Sequence, residues 1–147
     1  MARELAALMV VVAAAAGCGK GSDAAGKGVP PGPPLAGKPF YRVDAGPASP
    51  CTAGAACEAR LVLTALGGYH VNREYPFKFV GEAPPAAQVD GTGTFAVEDA
   101  THGTMTVRVH PAAAGTVKVA GTFKLSVCSD DTCEIETPRL ELALAVR

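Results

Sequence analysis

Three features of this chain predict an all-β domain, a sandwich of two sheets. Apolar and polar residues alternate along short stretches of its second half, the period of a strand with one buried face. Its 17 glycines and 12 prolines punctuate those stretches, and strands broken by turn formers about every eight to twelve residues are the mark of a sandwich. The β-branched and aromatic residues that favour strands concentrate in the same stretches, and no helix longer than a turn or two is expected. The 147 residues leave room for one such domain once a targeting segment is removed. Alanine inflates the apolar fraction, so Leu, Val, Phe and Tyr must build the core. The net charge of -1 supplies no basic field to draw phosphates, which excludes nucleic acid as a partner.

The amino terminus reads as an address. Arg3 precedes the apolar run Leu5 to Ala16, which is too short to span a bilayer and fits the core of a signal peptide. The run ends in Ala15-Ala16-Gly17-Cys18, which resembles the lipobox of bacterial lipoproteins. That resemblance implies cleavage after residue 17 and acylation of Cys18, with two or three acyl chains giving the stable membrane attachment that one chain would not. An ordinary secretory signal followed by an unlipidated Cys18 is the alternative. Gly19 stands where an aspartate would favour inner-membrane retention, so the expected location is the outer membrane facing the periplasm, with the cell surface as the other option. Residues 18–39 have almost nothing to bury and are expected to form a flexible Gly/Pro linker. Gly19-Lys20-Gly21-Ser22 lacks the spacing of a phosphate loop.

Residues 40–147 are expected to be the folded domain. Phe40 to Val43 reads as a short edge strand, and Asp44 to Pro50 as a turn-rich connection. From Cys57 to Leu66, Ala59, Leu61, Leu63 and Ala65 share a face opposite Arg60 and Thr64. Gly67-Gly68 ends that strand. Phe77 and Phe79 alternate around Lys78, with Pro76 suited to a strand start or an edge. Ala83 to Ala87 reads as a proline-containing loop. Asp90-Gly91 and Thr92-Gly93 are tight-turn signals before a strand that turns Phe95 and Val97 inward. Met105, Val107 and Val109 then alternate up to Pro111. The most regular stretch follows: Val117, Val119, Gly121, Phe123, Leu125 and Val127 on one face, with Lys118, Thr122, Lys124 and Ser126 on a wet one. Pro138 introduces the last strand, with Leu140, Leu142, Leu144 and Val146 inward. Seven or eight strands of this kind suggest an immunoglobulin-like β-sandwich.

Setting Cys18 aside, Cys51, Cys57, Cys128 and Cys133 remain, and an even number in an exported chain implies disulfides. Three connectivities are possible. The local pairs, Cys51 with Cys57 and Cys128 with Cys133, are favoured because their separations are short, and a cross-pairing stays open. Gly68-Tyr69-His70-Val71-Asn72, Tyr75-Pro76 and Phe123-Lys124-Leu125-Ser126-Val127-Cys128 with Cys133 beyond it make residues 40–147 similar to the amino-terminal domain of the DsbD thiol:disulfide interchange proteins. The resemblance implies an immunoglobulin-like fold and a redox role for Cys128 and Cys133, passing electrons from a membrane partner to periplasmic oxidoreductases. Physical chemistry pulls the other way. Asp130, Asp131, Glu134 and Glu136 crowd the pair with negative charge, which raises a thiol's pKa and suppresses the thiolate that exchange requires.

Two readings of function follow. The first is a lipid-anchored exported binding or accessory module with structural disulfides, attached to the membrane through its lipid and serving a periplasmic protein partner. The second is a thiol-disulfide carrier using Cys128 and Cys133, with Cys128 as the attacking sulfur. No cofactor motif is present. His70, His102 and His110 lack metal-type spacing, so no metal site is expected, a zinc site on Cys128, Cys133 and a histidine being the minor option. His102 is expected in a turn, His110 on a solvated face, and His70 packed at a strand end. No G-x-S-x-G elbow supports serine hydrolysis.

Overall fold

A computed structural model describes residues 32–83 and 87–147. The expected signal peptide, Cys18 and the linker through residue 31 lie outside the described residues, as do residues 84–86 of the expected loop Ala83 to Ala87. The described residues form ten strands and no helix: β1 (Ala36–Lys38), β2 (Tyr41–Ala45), β3 (Cys57–Ala65), β4 (His70–Val71), β5 (Lys78–Gly81), β6 (Ala87–Val97), β7 (His102–Pro111), β8 (Gly115–Cys128), β9 (Cys133–Glu136) and β10 (Arg139–Val146).

They make two antiparallel sheets. The first has the order β1-β2-β3-β7-β6. The second is built around β8, whose fourteen residues reach the whole length of the sheet. β10 and β9 lie along one side of β8, and β5 and β4 along the other. The alternation of backbone bonds shows this directly: the Phe123 amide donates to the Pro138 carbonyl on one side, while Ser126 and Ala120 accept from Asn72 and Glu82 on the other. All pairs from Cys128–Cys133 to Gly115–Val146 keep a single register, so β9 and β10 are one strand interrupted at Thr137 and Pro138.

The inner faces of both sheets share one core. Val43, Leu61, Leu63, Met105, Val107 and Val109 from the first sheet meet Phe79, Phe123, Leu125, Val127 and Leu140 from the second. Every inward position expected in β3, β7, β8 and β10 is buried, because in a half-wet strand the period of two admits no other choice. Phe77 and Phe95 stack at 3.8 Å between centroids and join the sheets where β5 approaches β6. Gly121 permits that side to close, since a methyl there would meet the Val80 carbonyl at 2.6 Å and run into the Phe79 ring.

The structure departs from the sequence reading at several places, among them His102, which opens β7 instead of lying in a turn. The folded unit starts before residue 40: Ala36–Lys38 pairs with Tyr41–Val43, and Leu35 donates to the Val43 carbonyl. A three-residue strand has too few side chains to show alternation, so a composition rich in Gly and Pro hid it. β2 is consequently an inner strand rather than an edge. Gly91 and Gly93, at φ of 65° and 77°, make a bulge inside β6 instead of a turn, because the register shifts between Asp90 and Thr94 while the strand continues. The strands among the described residues number ten, β1 and β4 being too short to read and Pro138 splitting the last. Ser126, placed on the wet face, is fully buried.

Candidate functional site

The cysteines sit at opposite ends of the sandwich. Both local disulfides are formed, Cys51–Cys57 and Cys128–Cys133. At one end, Cys51 lies beside Val146 of β10 while Cys57 opens β3, so this bond ties one sheet to the other. The Arg147 amide donates to the Cys51 carbonyl, the Ala53 amide to Arg147 and the Gly54 amide to Pro111. The closed loop thereby fastens Arg147 beside the end of β10. Cys51 and Cys57 are 3% and 7% exposed.

At the other end, Cys128 finishes β8 and Cys133 opens β9. They are directly opposed across the four residues Ser129 to Thr132, with Cα atoms 4.0 Å apart. The Ser129 amide donates to the Thr132 carbonyl, and the Ser129 hydroxyl accepts from the amides of Asp131 and Thr132, which holds Asp130 and Asp131 at the tip. Opposed residues of a sheet share a face. His70 pairs with Cys128 from the far side, so His70, Cys128 and Cys133 form one row across three strands. Cys128 is 6% exposed and Cys133 is exposed. One sulfur-bearing residue is shielded, and its partner faces solvent.

The acidic residues around this pair divide into two groups. Glu134 and Glu136 oppose Val127 and Leu125, whose side chains are in the core, and so they lie on the inner side of β9 at the seam between sheets. There Glu136 bonds Lys38 of β1 at 2.6 Å. The Tyr41 phenol beside them is pushed above its usual pKa, first by burial and then by the Glu136 charge. Asp130 and Asp131 remain exposed at the turn. Carboxylates thus flank the disulfide from both directions.

Beneath the row, the Asn72 side-chain amide donates to the buried Ser126 hydroxyl at 3.2 Å, and the Asn72 backbone amide donates to the Ser126 carbonyl. Ser126 stands in a strand whose neighbours fit the alternation, and nothing local in the sequence shows that residues after β4 fold against it. His70 is exposed rather than packed at its strand end. It borders an open depression of about 270 Å³ lined by Val71, Asn72, Arg73, Glu74 and Ala100.

The other two histidines each lie against an aspartate. His102 Nδ1 lies 3.0 Å from Asp99, and the backbone amide of Thr101 together with the His102 ring draws the Asp99 carboxyl down to about 2. His110 Nε2 is 2.7 Å from Asp90 on the outer face of the first sheet. A zinc site would need Cys128 and Cys133 as two thiolates, and their sulfurs are instead joined to each other. No family model, curated protein or solved structure matches the chain.

Proposed function

We propose that the protein is an exported, lipid-anchored binding or accessory module, an immunoglobulin-like sandwich whose two disulfides are structural. The observation that carries this reading is the work of the disulfides in the fold: Cys51–Cys57 fastens β10 to the start of β3, and Cys128–Cys133 closes the β8–β9 hairpin. Each closes a short loop between strands, and by restricting the unfolded chain such a bond adds stability to a small exported domain. Acidic neighbours at Cys128 and Cys133 supply a second support, since they oppose thiolate formation.

Lipid attachment rests on the placement of Ala15-Ala16-Gly17-Cys18 behind the apolar run. The test is replacement of Cys18 by Ser, which should abolish fatty-acid labelling and move the protein from the detergent phase to the aqueous phase. Retained labelling overturns the anchor.

A thiol-disulfide carrier is the second reading, favoured by the likeness to the DsbD amino-terminal domain and by the exposure of Cys133. The reduction potential of the Cys128–Cys133 pair separates the two. A structural bond should lie below about -300 mV, and a value nearer about -200 mV assigns the pair to exchange.

A further inference from the structure

We propose that the free edge of β9 and the start of β10, Cys133–Glu141, takes up an extended cationic segment of a protein partner by strand addition. This deepens the binding-module reading and rests on it. The bonds from Ser129 to Thr132 and from Phe123 to Pro138 set the alternation of this ladder, so Glu134, Glu136 and Leu140 face β8. The intervening residues, Cys133, Ile135, Thr137, Arg139 and Glu141, turn their backbone groups away from β8. None of the five has a backbone partner there among the described residues. Pro138 falls on the inner side of the alternation, so its missing amide hydrogen interrupts the β8 ladder and leaves the outer edge complete. Farther along, the strand is covered where Arg147 donates to Cys51.

The remaining edges are poorer templates. β1 has three residues, β4 two and β5 four, and β6 is bent by its bulge. Bulges and short strands are how sheet edges avoid pairing. The β9–β10 edge instead keeps a single register, and the Cys128–Cys133 bond holds its short first part in place, which lowers the cost of ordering on binding.

Charge selects the occupant. Asp130, Asp131, Glu134 and Glu136 stand at or beside this edge, and among the described residues the cation bonded to them is Lys38 alone. Arg139 and Glu141 are already engaged by Glu82 and Lys118 within the chain. A second copy laid antiparallel on β9 would bring carboxylates together, and an anionic membrane surface would be repelled. A strand carrying Lys or Arg at alternate positions meets opposite charge, and an apolar residue between them covers Ile135, which is 62% exposed.

The experiment uses the oxidised, full chain and a short fluorescent peptide alternating valine and lysine, with a valine–glutamate peptide as control. Anisotropy should show binding of the lysine peptide only, weakening as salt rises, and amide exchange should slow at Ile135, Thr137, Arg139 and Glu141. Thr137→Pro removes one outward donor between the two strands and should weaken binding about tenfold. Glu134→Gln with Glu136→Gln keeps every backbone group and should also weaken it about tenfold, while flattening the salt dependence. Lysine-peptide binding that leaves these amides unprotected and ignores Thr137→Pro overturns the edge site but leaves the binding-module reading standing. Absence of binding overturns the proposal; the module reading is then judged separately by the Cys18→Ser labelling and the reduction potential. Concentration-dependent dimerisation that protects the same amides assigns the edge to a second copy and overturns it as well.

Discussion

The two disulfides close loops of almost equal length, with sequence separations of 6 and 5, yet they occupy opposite environments. Cys51–Cys57 is buried on both sides, and its loop bonds to Pro111 of β7 and to Arg147, which follows β10. Cys128–Cys133 pins four residues of one edge strand and leaves Cys133 in solvent. Chain-entropy arguments assign them nearly the same stabilisation, about 2 kcal/mol each. The difference between them must therefore come from what each loop touches in the folded state. One joins two sheets, and the other shapes a single rim.

The sharpest way to break this comparison is to remove each bond in turn. Cys51→Ser with Cys57→Ser loses the cross-link and places two hydroxyls where the sulfurs are buried, so urea unfolding should show a loss of about 4 kcal/mol. Cys128→Ser with Cys133→Ser should lose about 2 kcal/mol, because the exposed serine can be solvated and the Ser129 turn persists. Equal losses would mean that loop closure alone matters. A larger loss at the rim would reverse the assignment of the two ends.

Much of this architecture was legible in the sequence, and the reasons differ by residue. Val117 to Val127 declared its buried face because six inward residues alternate with wet ones on a strand long enough to show the period. The local disulfides were legible because short separations favour them. β1 escaped because Gly37 and Lys38 carry no apolar signal, and the strand exists only by pairing with β2. The Gly91 and Gly93 bulge escaped because Asp-Gly fits either a turn or a bulge, and only the partner strand decides which. At the rim, Cys128 and Cys133 were nominated from sequence, but the shielding of one and the exposure of the other depend on which side of β8 is covered. Ser126 and the free Ile135 edge depend on residues distant in the chain.

Ser126 offers a second probe of the rim, with a smaller expected effect. Its hydroxyl is fully buried, and it accepts from Asn72. Ser126→Ala keeps the strand and deletes that bond, leaving the Asn72 amide partly open to water. A loss of about 1 kcal/mol in urea unfolding is expected, less than for either disulfide. A loss as large as that of the buried disulfide would show that the rim is held by its polar network rather than by its covalent bond.

The smallest effect belongs to the β6–β7 turn next to the rim. Asp99 accepts from the backbone amides of Thr101 and His102 and lies against the His102 ring, which together hold its pKa at about 2. Its folded pKa is thus below the ordinary 3.8. The carboxylate's contribution to stability is complete above that ordinary value and is lost as pH falls towards about 2. Asp99→Asn keeps an oxygen for the two amides and removes the charge, so the mutant should melt slightly lower than the parent near neutrality. The gap should close as the pH drops through about 4 to about 2, and the Asp99 carboxyl carbon should titrate in that lower range by NMR. A gap that stays constant over that window would show that the turn depends on geometry alone, and the charge at this end of the sandwich would then be confined to the carboxylates that flank Cys133.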